Sequence, residues 1–234
     1  RCGNAIAWYD NIPIVSWLVL RGRCRDCGAA FSGRYALVEL ATALAFAGLA
    51  VLLLPGILTA PSAAALAAGL LELVALLYFA AVSIALAAID VDTHRLPNSI
   101  VLPSYPVLAA LLGASALLTG DVETAARAAA GAGILFAGYL LLALISPRGM
   151  GMGDVKLAGV IGLVLGFSGW AALAVGTLAA FLLGGLVGIA LIVAGRARRN
   201  TGIPFGPWML SGAWVGILLG EPIAWAYLAL FGLD

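Results

Sequence analysis

The chain of 234 residues is 64% hydrophobic and 10% charged, with a mean hydropathy of +1.12. Soluble domains are about 45–50% apolar and about 25% charged, so a single water-soluble core is excluded and a polytopic membrane protein in a lipid bilayer is implied. The formal net charge of +1 leaves no basic surplus for nucleic acid, because the few basic residues are needed to set topology.

The chain starts at Arg1 rather than Met, with a polar stretch and no signal-like segment before it, and a preceding segment is expected. Residues 1–36 are the only stretch long and polar enough for a small cytosolic segment. Within it Cys24 and Cys27 form a Cys-x-x-Cys pair and Cys2 stands alone upstream. A disulfide is disfavoured on a reducing cytoplasmic face. A structural zinc needs four ligands, so these three thiols would need a fourth from before Arg1. The alternative is a turn with incidental cysteines.

A helical span needs about 20 mainly apolar residues. Such runs lie near 37–58, 65–89, 99–119, 126–146, 155–167, 169–194 and 208–231. The fifth is short and its boundary with the sixth, at Phe167-Ser168-Gly169, is soft, so seven spans are expected and six is the alternative. Abundant Ala and Gly inside the runs permit close helix approach. The fold class is therefore all-α, a polytopic helical bundle, with 37–234 as its membrane-embedded domain.

Seven spans sort the loops into two sets. One holds Arg1, Arg21, Arg23, Arg25, Arg34, Arg95, Arg148, Lys156, Arg196, Arg198 and Arg199; the other holds only Arg127, beside Asp121 and Glu123. That asymmetry puts the first set in the cytoplasm. It also puts Asp90 and Asp154 on one face, as a shared site requires.

Asp90 closes the second run in Ala-Ala-Ile-Asp-Val-Asp-Thr-His-Arg-Leu-Pro-Asn, and Asp154 opens the fifth in Gly-Met-Gly-Asp-Val-Lys. A carboxylate near the bilayer core costs about 2.5–3.5 kcal/mol on insertion scales. Two of them in such a chain point to function. Pro97 cannot continue the helix and disfavours it at Leu96, which ends the second span between Asp90 and Asn98. Asp92, two positions on, points away from Asp90 wherever helix persists. Gly151 and Gly153 allow close backbone approach beside Asp154, which can sit in the favourable field of a helix N-terminus.

Two carboxylates in hydrogen-bond reach share one proton. One can then act as general base on water while the protonated partner polarises a carbonyl and protonates the leaving amine. No metal or other cofactor is needed. Three alternatives stand beside this reading. The aspartates could be solvated loop residues, or proton relays of a transporter. Asp90, Asp92 and His94 could instead hold a divalent cation for a membrane transferase.

Glu39, just inside the first run, is either interfacial, paired with Arg34 or Arg21, or functional beside the cytosolic segment. Glu72 is assigned a structural pairing near the outer face. Lys156 either favours ionised Asp154 by proximity or anchors a helix end. Trp8, Trp17 and Trp208 are read as interfacial belt residues. Ile203-Pro-Phe-Gly-Pro207 is expected to form a rigid turn bordering the site.

Taken together these motifs resemble the type IV prepilin peptidases, bacterial membrane aspartic proteases. The match runs through Asn11-Ile-Pro-Ile-Val-Ser-Trp17, Arg21-Gly-Arg-Cys-Arg-Asp-Cys-Gly28 and Arg34-Tyr-Ala-Leu-Val-Glu39. It continues through Asp90 to Asn98, Gly151-Met-Gly-Asp154-Val-Lys156 and Ile203-Pro-Phe-Gly-Pro207. The resemblance implies Asp90 and Asp154 as the catalytic pair, with a Gly-x-Gly-Asp box shared with wider intramembrane aspartic proteases.

It further implies an inner-membrane enzyme that cuts prepilin or pseudopilin leaders after a glycine on the cytoplasmic side. Many members also methylate the new N-terminus with S-adenosylmethionine, an activity tied to the N-terminal segment and here to Glu39. Long members begin with one more span and a complete Cys-x-x-Cys before Cys2, and Ala36 stands where proline is usual.

Overall fold

The computed structural model describes residues 3–146, 149–195 and 204–232. A short 3-10 turn, Trp8–Asn11, and helix α1, Val15–Val19, precede seven long helices. These are α2 Arg34–Leu58, α3 Ala63–Thr93, α4 Asn98–Thr119, α5 Val122–Ile145, α6 Met152–Ser168, α7 Trp170–Val193 and α8 Gly206–Ala229. No boundary departs from the expected spans by more than four residues. The largest departures are at helix ends such as that of α3, where the backbone ladder continues past the apolar run through Asp90-Val-Asp-Thr93.

Short connections make successive helices antiparallel. Ser62 caps α3 by accepting from the Ala65 amide, and Asp121 caps α5 by accepting from Thr124, the side chains suited to orphan N–H groups. Pro97 stands at the N-cap of α4 and Gly169, at φ 144°, separates α6 from α7. The soft boundary in the sequence is thus a real helix break at a glycine.

Glycines set the closest seams. In α5 against α6, a Cβ on Gly131 would fall 2.9 Å from the Cα of Gly166, and one on Gly166 would fall 2.6 Å from the Arg127 carbonyl oxygen. In α7 against α8, a Cβ on Gly216 would meet the Ala172 carbonyl oxygen at 2.5 Å, and one on Gly220 would meet the Ala172 Cα at 2.6 Å. Small residues at these positions let backbones touch where apolar burial gives no net drive in lipid. Arg127 locks the α5–α6 seam, donating from Nε to the Gly166 carbonyl at 2.8 Å and from Nη2 to the Phe167 carbonyl at 3.1 Å.

Among the described residues, six helices are long and apolar enough to cross a membrane; α6 is not one of them. Its 17 residues span about 26 Å at about 1.5 Å per residue. Yet α6 runs from the Asp154 end to the Arg127 end beside α5, so it joins the same two ends as its neighbours. Val155, Leu157, Ala158, Val160 and Leu165 on it are fully buried. A helix enclosed on all sides needs no polar face and no lipid-matching length. Seven helices therefore form the bundle, with the shortest at its centre.

The segment before α2 is tied by Arg25, which donates from Nε and Nη2 to Asp10 at 2.7 and 2.6 Å and lies 5.3 Å over the Tyr9 ring. The Arg25 hydrogen bonds hold the Asp10 carboxyl below its ordinary range.

Candidate functional site

Asp90 lies in the last turn of α3 and is only 4% exposed. The helix ends at His94, which takes the left-handed conformation (φ 51°) and donates its amide to the Asp90 carbonyl at 2.8 Å. The Asp90 side chain is fixed from across the bundle: the Gly206 N–H donates to Oδ2 at 3.0 Å. Gly206 is the first residue of α8, so the donor is one of the orphan amides at the positive end of a helix dipole. A Cβ on Gly206 would stand 2.7 Å from that same oxygen, so glycine is what lets the backbone come close enough to donate. Beyond the bordering turn expected of it, the Pro-Phe-Gly-Pro stretch makes a direct bond to Asp90, while Ile203 lies outside the described residues.

Asp154 occupies the third position of α6 and reaches back to accept from the Gly151 amide at 3.0 Å. Asp154 is partly buried, and Tyr139, a buried residue of α5, sets its ring 6.4 Å from that of Phe205, the neighbour of Gly206. Leu96, in the loop after α3, joins the two halves. A Cβ on Gly153 would fall 3.1 Å from Leu96 Cβ, and one on Gly206 would fall 3.3 Å from Leu96 Cδ2. One leucine thus packs on the glycine beside Asp154 and on the glycine that holds Asp90. Gly151 and Gly153 therefore have separate uses, an amide for the carboxylate and room for Leu96.

The other candidates fall elsewhere. Asp92, half exposed, makes an ion pair with Arg34 at the start of α2. Asp90, Asp92 and His94 do not gather: among the described residues no three His, Cys, Asp or Glu side chains form a metal-holding group. Lys156 does not pair with Asp154. Its Nζ donates to Asn98 Oδ1 at 3.1 Å across to α4, while Tyr105 Oη donates to the Lys156 carbonyl at 2.6 Å. The spacing explains this, since residues two apart on a helix diverge. Glu39 pairs with neither Arg34 nor Arg21; it accepts the Ile14 amide on Oε2 at 2.7 Å.

Cys24 and Cys27 sit in a tight turn, in which the Cys24 amide donates to the Ala29 carbonyl at 2.9 Å and the Gly28 amide donates to the Cys24 carbonyl at 3.0 Å. Gly28 has φ +66°, which glycine tolerates. Two thiols do not complete a tetrahedral site, and Cys2 lies outside the described residues.

Glu72 accepts from Ser115 Oγ at 2.7 Å. It lines a cavity of about 320 Å³ with Asp121 and Phe167, at the end of the bundle remote from Asp90. Trp8 is 82% exposed, and Trp17 packs its indole against Gly22 and Gly33.

Residues 77–193, which include both Asp90 and Asp154, match the type IV leader peptidase family, and residues 1–53 match the bacterial peptidase A24 N-terminal domain. The chain is 38% identical to a prepilin leader peptidase/N-methyltransferase of Aeromonas salmonicida, over 98% of this chain and 73% of that protein. The chain belongs to the type IV leader peptidase family. Proteins of the same name from Aeromonas hydrophila and Pseudomonas aeruginosa are 38% and 33% identical over 99% of this chain and 74% of each. No solved structure matches. As a member of this family the chain is a membrane peptidase, and its N-terminal match covers the cysteine turn, Arg34 and Glu39.

The sequence reading missed Gly206 as a donor, Leu96 as the common wedge, and Tyr105 and Tyr139 as site neighbours. Gly206 carries one signal, the Pro-flanked glycine of its motif, and Leu96 stands before Pro97 in the loop after Asp90; Tyr105 and Tyr139 look like ordinary apolar-span residues.

Proposed function

We propose that this leader peptidase removes the leader of prepilins or pseudopilins at its cytoplasmic face, with Asp90 and Asp154 as the acid–base pair. The observation that carries the reading is the placement of two carboxylates at one end of the bundle, each held by a single backbone amide and bracketed by Leu96, which packs on Gly153 and Gly206. In this reading the two share one proton. The ionised carboxylate takes a proton from water, which attacks the scissile carbonyl, while the protonated carboxyl donates to the carbonyl oxygen. Collapse of the tetrahedral intermediate sends a proton to the departing amine, and the C–N bond breaks. The engagement of Asp92 by Arg34 favours this pair over an Asp-x-Asp-x-His cation site.

Residues 1–36 form the cytosolic segment and 37–234 the peptidase body. The segment is the place for methylation of the new N-terminus, with S-adenosylmethionine as the methyl donor. Glu39, whose carboxylate holds the Ile14 amide, would serve that activity by fixing the segment on α2. The arginine-rich loops support a site on the cytoplasmic side of a bacterial inner membrane.

Purified chain in lipid nanodiscs, incubated with a full-length prepilin and a chelator, is expected to yield a product beginning directly after the leader glycine, read by intact-mass spectrometry. A further 14 Da on that product when S-adenosylmethionine is added reports methylation, a mass fixed by the CH₂ gained. No cleavage, or cleavage only with added magnesium, would contradict the reading.

A further inference from the structure

We propose that Arg34 is a positioning residue for Asp90, so that docking of the N-terminal segment is transmitted to the peptidase site. This rests on the reading of Asp90 as catalytic. Arg34, the first residue of α2, bridges two points on the last turns of α3. Its Nη1 pairs with the Asp92 carboxylate and its Nη2 donates to the Ala88 carbonyl at 2.9 Å. Ala88 and Asp92 are four apart and share one face of α3; Asp90 lies midway and points to the opposite face. The guanidinium therefore grips the outside of the turn whose inside aims Asp90 at Gly206.

A half-exposed ion pair alone contributes little stability. A planar fork with two anchor points on one turn instead restricts its rotation and fraying, and places a cation where the helix C-terminus favours one. Five residues along α2, Glu39 holds the Ile14 amide. One end of α2 thus grips both the N-terminal segment and the turn carrying Asp90.

The test compares Arg34→Ala, Arg34→Lys, Asp92→Asn, the Arg34→Ala/Asp92→Asn double variant and Asp90→Asn in nanodiscs, with prepilin cleavage as readout. Arg34→Ala is expected to lower kcat about 10- to 100-fold, the cost of misplacing a reacting group by about an ångström. Millimolar guanidinium should restore much of it, which a merely misfolded fraction would not allow. Arg34→Lys and Asp92→Asn should fall between, because each keeps one anchor point. The double variant should be no slower than Arg34→Ala, since both changes remove one clamp.

Wild-type cleavage by Arg34→Ala, alongside an inactive Asp90→Asn, would overturn the positioning role alone. So would slow cleavage without guanidinium rescue, or additive losses in the double variant. Full activity in Asp90→Asn would overturn the catalytic reading itself. Should Arg34→Ala fail to accumulate, Arg34→Lys and Asp92→Asn decide the matter, and wild-type rates in both would overturn the proposal.

Discussion

Asp90→Asn and Asp154→Asn are each expected to lower prepilin cleavage by at least about a thousandfold while protein still accumulates in the membrane. An amide can neither accept the proton of water nor share one with its partner, and positioned acid–base groups contribute about 10²–10⁴-fold each. The fold should survive because asparagine is nearly isosteric and its carbonyl oxygen can still accept the Gly206 amide at position 90, or the Gly151 amide at position 154. The double variant should be hardly slower than either single one, because the two carboxylates work as a unit. Initial rates on equal amounts of purified protein, with melting temperature as the folding control, check all three statements. A single variant that keeps a tenth of the wild-type rate would break the pair.

The largest expected loss of stability comes from Gly162→Ala, in the middle of the α5–α6 seam. Its Cβ would stand 2.7 Å from the Gly131 carbonyl carbon and 3.0 Å from the Ala132 Cα. These are backbone atoms, which can yield only if the helices separate. Overpacking of this kind costs about 1–3 kcal/mol, and here it also disturbs α6, which carries Asp154. Gly133→Ala on α5 is the control: nothing lies within 4 Å of its Cβ, so replacing glycine in a helix should be neutral or stabilising by up to about 1 kcal/mol. Thermal unfolding in one detergent should rank Gly162→Ala well below wild type and Gly133→Ala at or above it. Equal melting temperatures for the two variants would show that the seam tolerates separation.

Much of the bundle was legible in the sequence because apolar runs and basic loops are direct records of a bilayer. Pro97 and Gly169 marked two of its breaks. The aspartates stood out for the same reason, since charge is expensive where they lie. What pairwise spacing could not carry was contact between distant segments. The Pro-flanked glycine motif marks a turn but not that the Gly206 amide meets Asp90, 116 positions away, nor does Leu96 announce that it wedges between Gly153 and Gly206. Lys156 was weighed as a partner for Asp154 because they are close in sequence, yet helix geometry turns it to Asn98. Glu39 was paired in expectation with arginines because charge seeks charge, but an exposed backbone amide at Ile14 claimed it.

The dependence of kcat/KM for prepilin cleavage on pH, measured with the wild-type chain in the presence of a chelator, tests the shared-proton pair most directly. A carboxylate pair that must hold one proton between its members predicts a bell-shaped curve, with full activity under chelation and both limbs belonging to the pair. A curve with no acid limb, or activity that vanishes under chelation and returns with magnesium, would contradict it.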